Sequence, residues 1–145
     1  SGNARIDRID VERVQSELDK NNIVVVAGFQ GINRYDDITT LGRGGSDTSA
    51  VAIASAIHAD KCEIYTDVDG VYTADPKLDP TATKIDSIEY IDILREGLKV
   101  LDFTATSFSM ENHIPILLFG LDDPENIIRA VNGEKIGTIV GGTRK

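Results

Sequence analysis

Thr40-Leu41-Gly42-Arg43-Gly44-Gly45-Ser46-Asp47-Thr48-Ser49-Ala50 runs a glycine-rich turn straight into an apolar segment. Ser46 is a residue type favoured at helix N-caps, and Asp47 suits a first helical turn. Two adjacent glycines let the backbone approach a ligand with no Cβ in the way. A helix start behind them presents unpaired N–H groups to an anion. Arg43 adds a guanidinium able to grip a carboxylate or phosphate through two hydrogen bonds. A capped helix after a turn is the plainer account of Gly44-Gly45-Ser46-Asp47, and alone those residues do not outweigh it. Arg43 beside the glycines shifts the balance toward a substrate-binding corner, and so toward small-molecule or phosphoryl chemistry.

Working outward, residues 46–59 are apolar almost all round and predict a central, buried helix. Upstream, Ile23-Val24-Val25-Val26-Ala27-Gly28 is a continuous β-branched run, which predicts a strand buried on both faces. The polar stretch 29–39 between them reads as a loop. Val11, Val14 and Leu18 share one face of a helix over 10–21, with Asp10 as its N-cap. Cys62-Glu63-Ile64-Tyr65-Thr66 is a short strand ending at Asp67. Asp69-Gly70 is a turn signal, Val71-Tyr72 continues as strand, and 75–83 is a loop with two prolines. Helices follow over 90–96 and 104–112, then an apolar strand over 115–119. Pro124 opens a further helix that ends near Gly133, and 136–140 is the last strand. Helices alternate with apolar strands. The fold class is therefore α/β, a three-layer α/β/α arrangement with a mainly parallel sheet. No internal repeat or low-complexity linker breaks the chain, so residues 1–145 read as one domain.

Composition narrows the function classes. The 145 residues are 41% hydrophobic and 27% charged, an ordinary globular balance. A formal net charge of -9, with no local basic stripe, argues against a nucleic-acid partner. The single cysteine, Cys62, rules out an internal disulfide framework and fits a cytoplasmic location. No stretch is long and apolar enough to span a membrane, and no signal peptide is visible. The Ser-Gly start reads as a processed or excised piece.

A second constellation is Tyr65-Thr66-Asp67-Val68-Asp69-Gly70-Val71-Tyr72-Thr73-Ala74-Asp75-Pro76-Lys77. Polar residues and two aromatics gather just after a buried strand, where open α/β sheets bind ligands. A decorated turn, with the tyrosines filling core, is the bland account. Against it, Thr66, Asp67, Tyr72 and Lys77 supply a hydroxyl, a carboxylate, a flat ring and a cation. Those parts serve a ribose, an adenine and a phosphate. Lys99, inside Leu98-Lys99-Val100-Leu101, reads on its own as a lysine snorkelling at the core edge. His58 and His113 have no second ligand at metal-binding spacing, so no metal site is expected. Asp122, Asp123 and Glu125 complement a helix dipole and need no catalytic role.

These residues together resemble the amino-acid kinase superfamily. From Asn3 to about residue 90 the chain is similar to bacterial aspartokinase. Val24-Val25-Val26-Ala27-Gly28-Phe29-Gln30-Gly31, Thr39-Thr40-Leu41-Gly42-Arg43-Gly44-Gly45-Ser46-Asp47-Thr48 and the segment from Cys62 to Pro76 carry that likeness. From about residue 91 to 145 the likeness is to bacterial UMP kinase, a sister family. It rests on Gly97-Leu98-Lys99-Val100-Leu101-Asp102-Phe103-Thr104-Ala105-Thr106-Ser107, Asn112-His113-Ile114-Pro115-Ile116 and the segment from Gly133 to Val140. An aspartokinase would carry His-Pro where this chain has Asp102-Phe103. The two likenesses imply a chimera, designed or recombined, with its seam between Val68 and Tyr90.

The resemblance implies the carboxy-terminal, nucleotide-binding half of an amino-acid kinase domain, without the Gly-rich loop and lysine of the amino-terminal half. The parent activity would be phosphorylation of the L-aspartate side-chain carboxylate by ATP with Mg²⁺. Arg43, Gly44, Gly45 and Ser46 would then bind substrate. Asp47 would be the catalytic residue, orienting the catalytic lysines or the metal-bound phosphates. Thr66, Asp67, Tyr72, Lys77 and Lys99 would line the ATP site. The piece alone would be inactive, and a cut sheet edge would drive homo-oligomer formation. The contrasting expectation is a structural chimera with no ligand function.

Overall fold

The computed structural model describes residues 6–42, 44–96, 98 and 100–142. They form α1 (Glu12–Leu18), β1 (Gln30–Ile32), β2 (Ile38–Thr40), α2 (Gly45–Ala56), β3 (Cys62–Thr66), β4 (Val71–Tyr72) and β5 (Lys84–Ile85). Then come β6 (Ser87–Ile88), α3 (Tyr90–Glu96), α4 (Phe103–Asn112), β7 (Ile116–Gly120), α5 (Glu125–Val131) and β8 (Thr138–Val140). The main sheet has the order β3-β7-β8-β6. β3 runs parallel to β7 and β6 parallel to β8, while β7 and β8 are antiparallel. The sheet is thus mixed and mostly parallel, in an α/β fold of the class expected.

Strand β7 shows why these residues make layers. All five of its residues are buried, and successive side chains point to opposite faces. Ile116 and Leu118 join the larger cluster with Val51 and Ala54 of α2, Cys62 and Ile64 of β3, Ile93 of α3 and Ala105 of α4. Leu117 and Phe119 face the other way, against Ala130 of α5, with Ile136 packed alongside. One side of the sheet therefore carries α2, α3 and α4, and the other α5. Each large apolar side chain buried here contributes about 1.5–3 kcal/mol.

Local chemistry sets the helix ends. α4 is capped by Asp102, whose carboxylate accepts from Thr104 N (3.0 Å) and Ala105 N (3.3 Å). α2 stops at His58, which adopts a positive φ of 54° while its N–H donates to the Ser55 carbonyl. Tyr90 at the start of α3 donates its hydroxyl to the Ile114 carbonyl at 2.6 Å, tying α3 to the turn before β7. Thr138 is fully buried. Its hydroxyl accepts from Val71 N (2.8 Å) and donates to the Ile85 carbonyl (2.5 Å), joining β8 to the β4–β5 ribbon.

Four expectations differ from the structure. Asp10 is not the N-cap of α1, a place held by Val11 with no side-chain cap. Residues 23–28 form no strand, and Ile23 and Val25 are 95% and 93% exposed. A β-branched run becomes a strand only when a neighbour completes its ladder, and β3 ends the described sheet with β7 as its paired neighbour. Residues 29–39 are not a plain loop, because β1 and β2 pair in register from Gln30↔Thr40 to Ile32↔Ile38. Asn33 holds the hairpin tip by accepting from Tyr35 N and Asp37 N. Finally, Ser46 is not the N-cap of α2. That place belongs to Gly44, at φ 78°, a left-handed conformation that favours glycine.

Candidate functional site

The connections of the sheet decide where ligands can sit. α2 leads into β3 and α4 leads into β7, so each helix returns along its strand. Their N-termini therefore lie toward the carboxyl end of β3 and β7. α5 starts from that same end, after β7. Helix N-termini and strand carboxyl ends together make the binding edge of an open α/β sheet.

At that edge a cleft of about 430 Å³ opens between the starts of α2 and α4. Gly44 and Asp47 line it from α2, and Asp102, Phe103 and Thr106 line it from the start of α4. Ile93, Leu94, Leu98, Val100 and Leu101 form its apolar wall. Asp47 is half-buried, and burial pushes its carboxyl above the ordinary value. The backbone N–H of Asp102 opposes that shift by donating toward the carboxylate, and the Asp102 charge adds to it. Gly45 is buried and Ser46 is exposed at the mouth of the turn. A β-carbon on Gly45 would come within 2.5 Å of the Leu41 side chain, so close packing as well as ligand approach calls for glycine there. Arg43 and Lys99 lie outside the described residues.

The second grouping follows β3. Thr66 is half-buried, and its hydroxyl donates to the exposed Asp67 carboxylate at 3.2 Å. The Thr66 carbonyl accepts from Leu121 N at 3.1 Å, which ties the end of β3 to the residue after β7. Tyr72 is half-buried, with its hydroxyl donating to Asp69 at 3.0 and 3.1 Å. That bond pushes the Tyr72 phenol above its usual value. Asp69 also pairs with Lys84 at 3.7 Å. Lys77 is exposed in a turn held by Asp75, which accepts from Lys77 N at 2.9 Å.

Sequence reasoning thus placed Asp47, Gly44, Gly45 and Ser46 in one group and Thr66, Asp67, Tyr72 and Lys77 in another. Both groups sit at the same end of the sheet. It missed Asp102 as the partner that closes the cleft opposite Asp47. The available signal was an aspartate immediately before an apolar helical run, an N-cap pattern. Among the described residues no group of three or more His, Cys, Asp or Glu is placed to hold a metal ion. Nor is any described helix long and apolar enough to cross a membrane.

The chain is similar to known proteins in sequence and in fold. A family model, the amino acid kinase family, matches residues 1–120. Aspartokinase of Mycolicibacterium smegmatis is 43% identical over 146 residues, covering 98% of this chain and 32% of that protein. The crystal structure of E. coli aspartokinase III in complex with aspartate and ADP is 34% identical, with a TM-score of 0.63. That match covers 78% of this chain and 24% of the other. The UMP kinase of Bacillus anthracis is 29% identical with a TM-score of 0.63, covering 66% of this chain and 40% of its own. The chain spans about a third of the length of the curated aspartokinase relative.

Proposed function

We propose, since this chain belongs to the amino acid kinase family, that it is the nucleotide-binding part of an ATP-dependent aspartate kinase. One observation carries this reading. The glycine turn into α2, with Asp47 and its cleft, opens at the same end of the sheet as the Thr66–Lys77 segment. The cleft of about 430 Å³ at that edge is of the size that small-molecule sites have. Arg43, Gly44, Gly45 and Ser46 bind the substrate carboxylate, through the guanidinium and the backbone of the turn. Thr66, Asp67, Tyr72, Lys77 and Lys99 line the ATP site. Asp47 is the catalytic residue and orients the catalytic lysines or the metal-bound phosphates. Mg²⁺ supplies charge neutralisation on those phosphates when bound. Asp47 and Asp67 are the carboxylates of the two groups that would lie near those phosphates.

Binding should be weak, because the phosphates are reached by one part of a larger kinase. ATP is expected to bind with Kd above roughly 10⁻⁴ M, which is about −5.5 kcal/mol or less favourable. Asp67→Ala should weaken it further, whereas Asp122→Ala should not. The check is a titration with Mg-ATP followed by amide spectra and melting temperature. If millimolar ATP moves neither the signals from Thr66 to Lys77 nor the melting point, a chimera without ligand function takes this reading's place.

Self-association belongs to the same proposal. Ile23 and Val25 are exposed, and so are Ile32 and Ile38 of the hairpin. β3 also ends the described sheet. Apolar β-branched runs and unpaired edges find each other between copies. Light scattering should show a mass that rises with concentration, and a monomer throughout a wide range would contradict it.

A further inference from the structure

We infer that Asp102 is a positioning residue for Asp47, pinning the glycine turn at the start of α2 to the first turn of α4. The inference rests on the reading of Asp47 as the residue that orients phosphates, and goes beyond it by naming what holds Asp47. Three contacts converge on this one residue. Its carboxylate caps α4 through Thr104 N and Ala105 N. The same carboxylate lies against Gly44, so closely that a β-carbon at Gly44 would overlap it. Asp47 lines the same cleft as Asp102, and the Asp102 backbone N–H favours its charged carboxylate. The α4 cap fixes the extended conformation of Asp102 (φ −63°, ψ 136°). Capping, packing on the turn and presenting a donor are therefore one geometry rather than three.

Gly44 is the matching half. Its left-handed φ of 78° turns the chain into α2, and its bare Cα makes room for Asp102. Asp102 from α4 and Cys62 from β3 are the titratable groups that interact with Asp47 among the described residues. Cys62 has its thiol pushed up to about 11 and stays neutral through the acid range. Asp102 is thus, among the described residues, a charge that raises Asp47.

The test uses the whole chain, free of nucleotide, with the Asp47 side-chain carboxyl followed by carbon NMR against pH. Asp102→Asn keeps an N-cap side chain and removes the charge. It should melt near the native temperature, with the Asp47 midpoint shifted down. Asp102→Ala also removes the cap and should move the amide signals from Gly44 to Asp47 along with those of Thr104 and Ala105. A midpoint that stays or rises in Asp102→Asn overturns the inference, as does Asp102→Ala leaving the Gly44–Asp47 signals in place. No nucleotide enters these measurements. Failure of the ATP titration would leave their outcome standing, and the reverse holds too.

Discussion

Incubated with ATP, Mg²⁺ and L-aspartate, the 145-residue chain on its own is expected to release ADP no faster than it does without aspartate. Phosphoryl transfer needs little covalent help from a protein. It needs the acceptor and the γ-phosphate held in line and the developing charge neutralised. The described lining of the cleft brings two carboxylates, Asp47 and Asp102, and no lysine or arginine. Arg43 and Lys99 flank it in sequence. Removing one preorganised charge-stabilising group typically costs roughly 10²–10³ in rate. This chain corresponds to 32% of the Mycolicibacterium enzyme's length, so several such groups are at stake together. A coupled ADP-release assay on the purified chain decides it, and aspartate-dependent turnover above background would refute the expectation.

The second large effect is on stability. Phe119→Ala should cost about 3–5 kcal/mol, a large part of the 5–15 kcal/mol typical of a folded domain. Phe119 is 1% exposed and sits on the central strand, facing α5. The Tyr65 ring of β3 lies beside it, centroid to centroid at 4.7 Å. Among the described residues this second face has Leu117, Phe119 and Ala130 as its buried members, so few side chains can close over the void. Leu78→Ala, at a residue 83% exposed, should change stability by no more than about 0.5 kcal/mol. Urea melts of both variants test the contrast. A Phe119→Ala chain that unfolds at the native midpoint would show that the α5 layer contributes little.

How far the sequence could be read depended on where each segment's partners lie. Residues 90–96 were legible as α3 because helical pattern and a following glycine agree. The apolar run 115–119 was legible because it overlaps β7, whose residues Ile116–Gly120 are all buried. Residues 23–28 look just as strand-like, yet a strand is a property of two chains of hydrogen bonds, and sequence shows one. The β1–β2 hairpin hid for the opposite reason. Its stability rests on register and on the Asn33 turn, while Ile32 and Ile38 stay exposed, so no apolar alternation marked it. In the cleft, Asp47 was visible from its glycine turn, a local signal. Asp102 meets it from 55 residues further along the chain, and no local pattern reports such a meeting.

The placement of Cys62 gives the edge of the sheet a clock. It is the chain's one cysteine, it is buried, and it stands first in β3. The thiolate is the form that reacts, and a thiol held near 11 supplies very little of it at neutral pH. In the closed fold both access and ionisation therefore slow alkylation. Once β3 peels from β7, water reaches the sulfur, its acidity returns to normal, and the label attaches. The rate of labelling then counts openings of that edge strand, without any mutation or added probe.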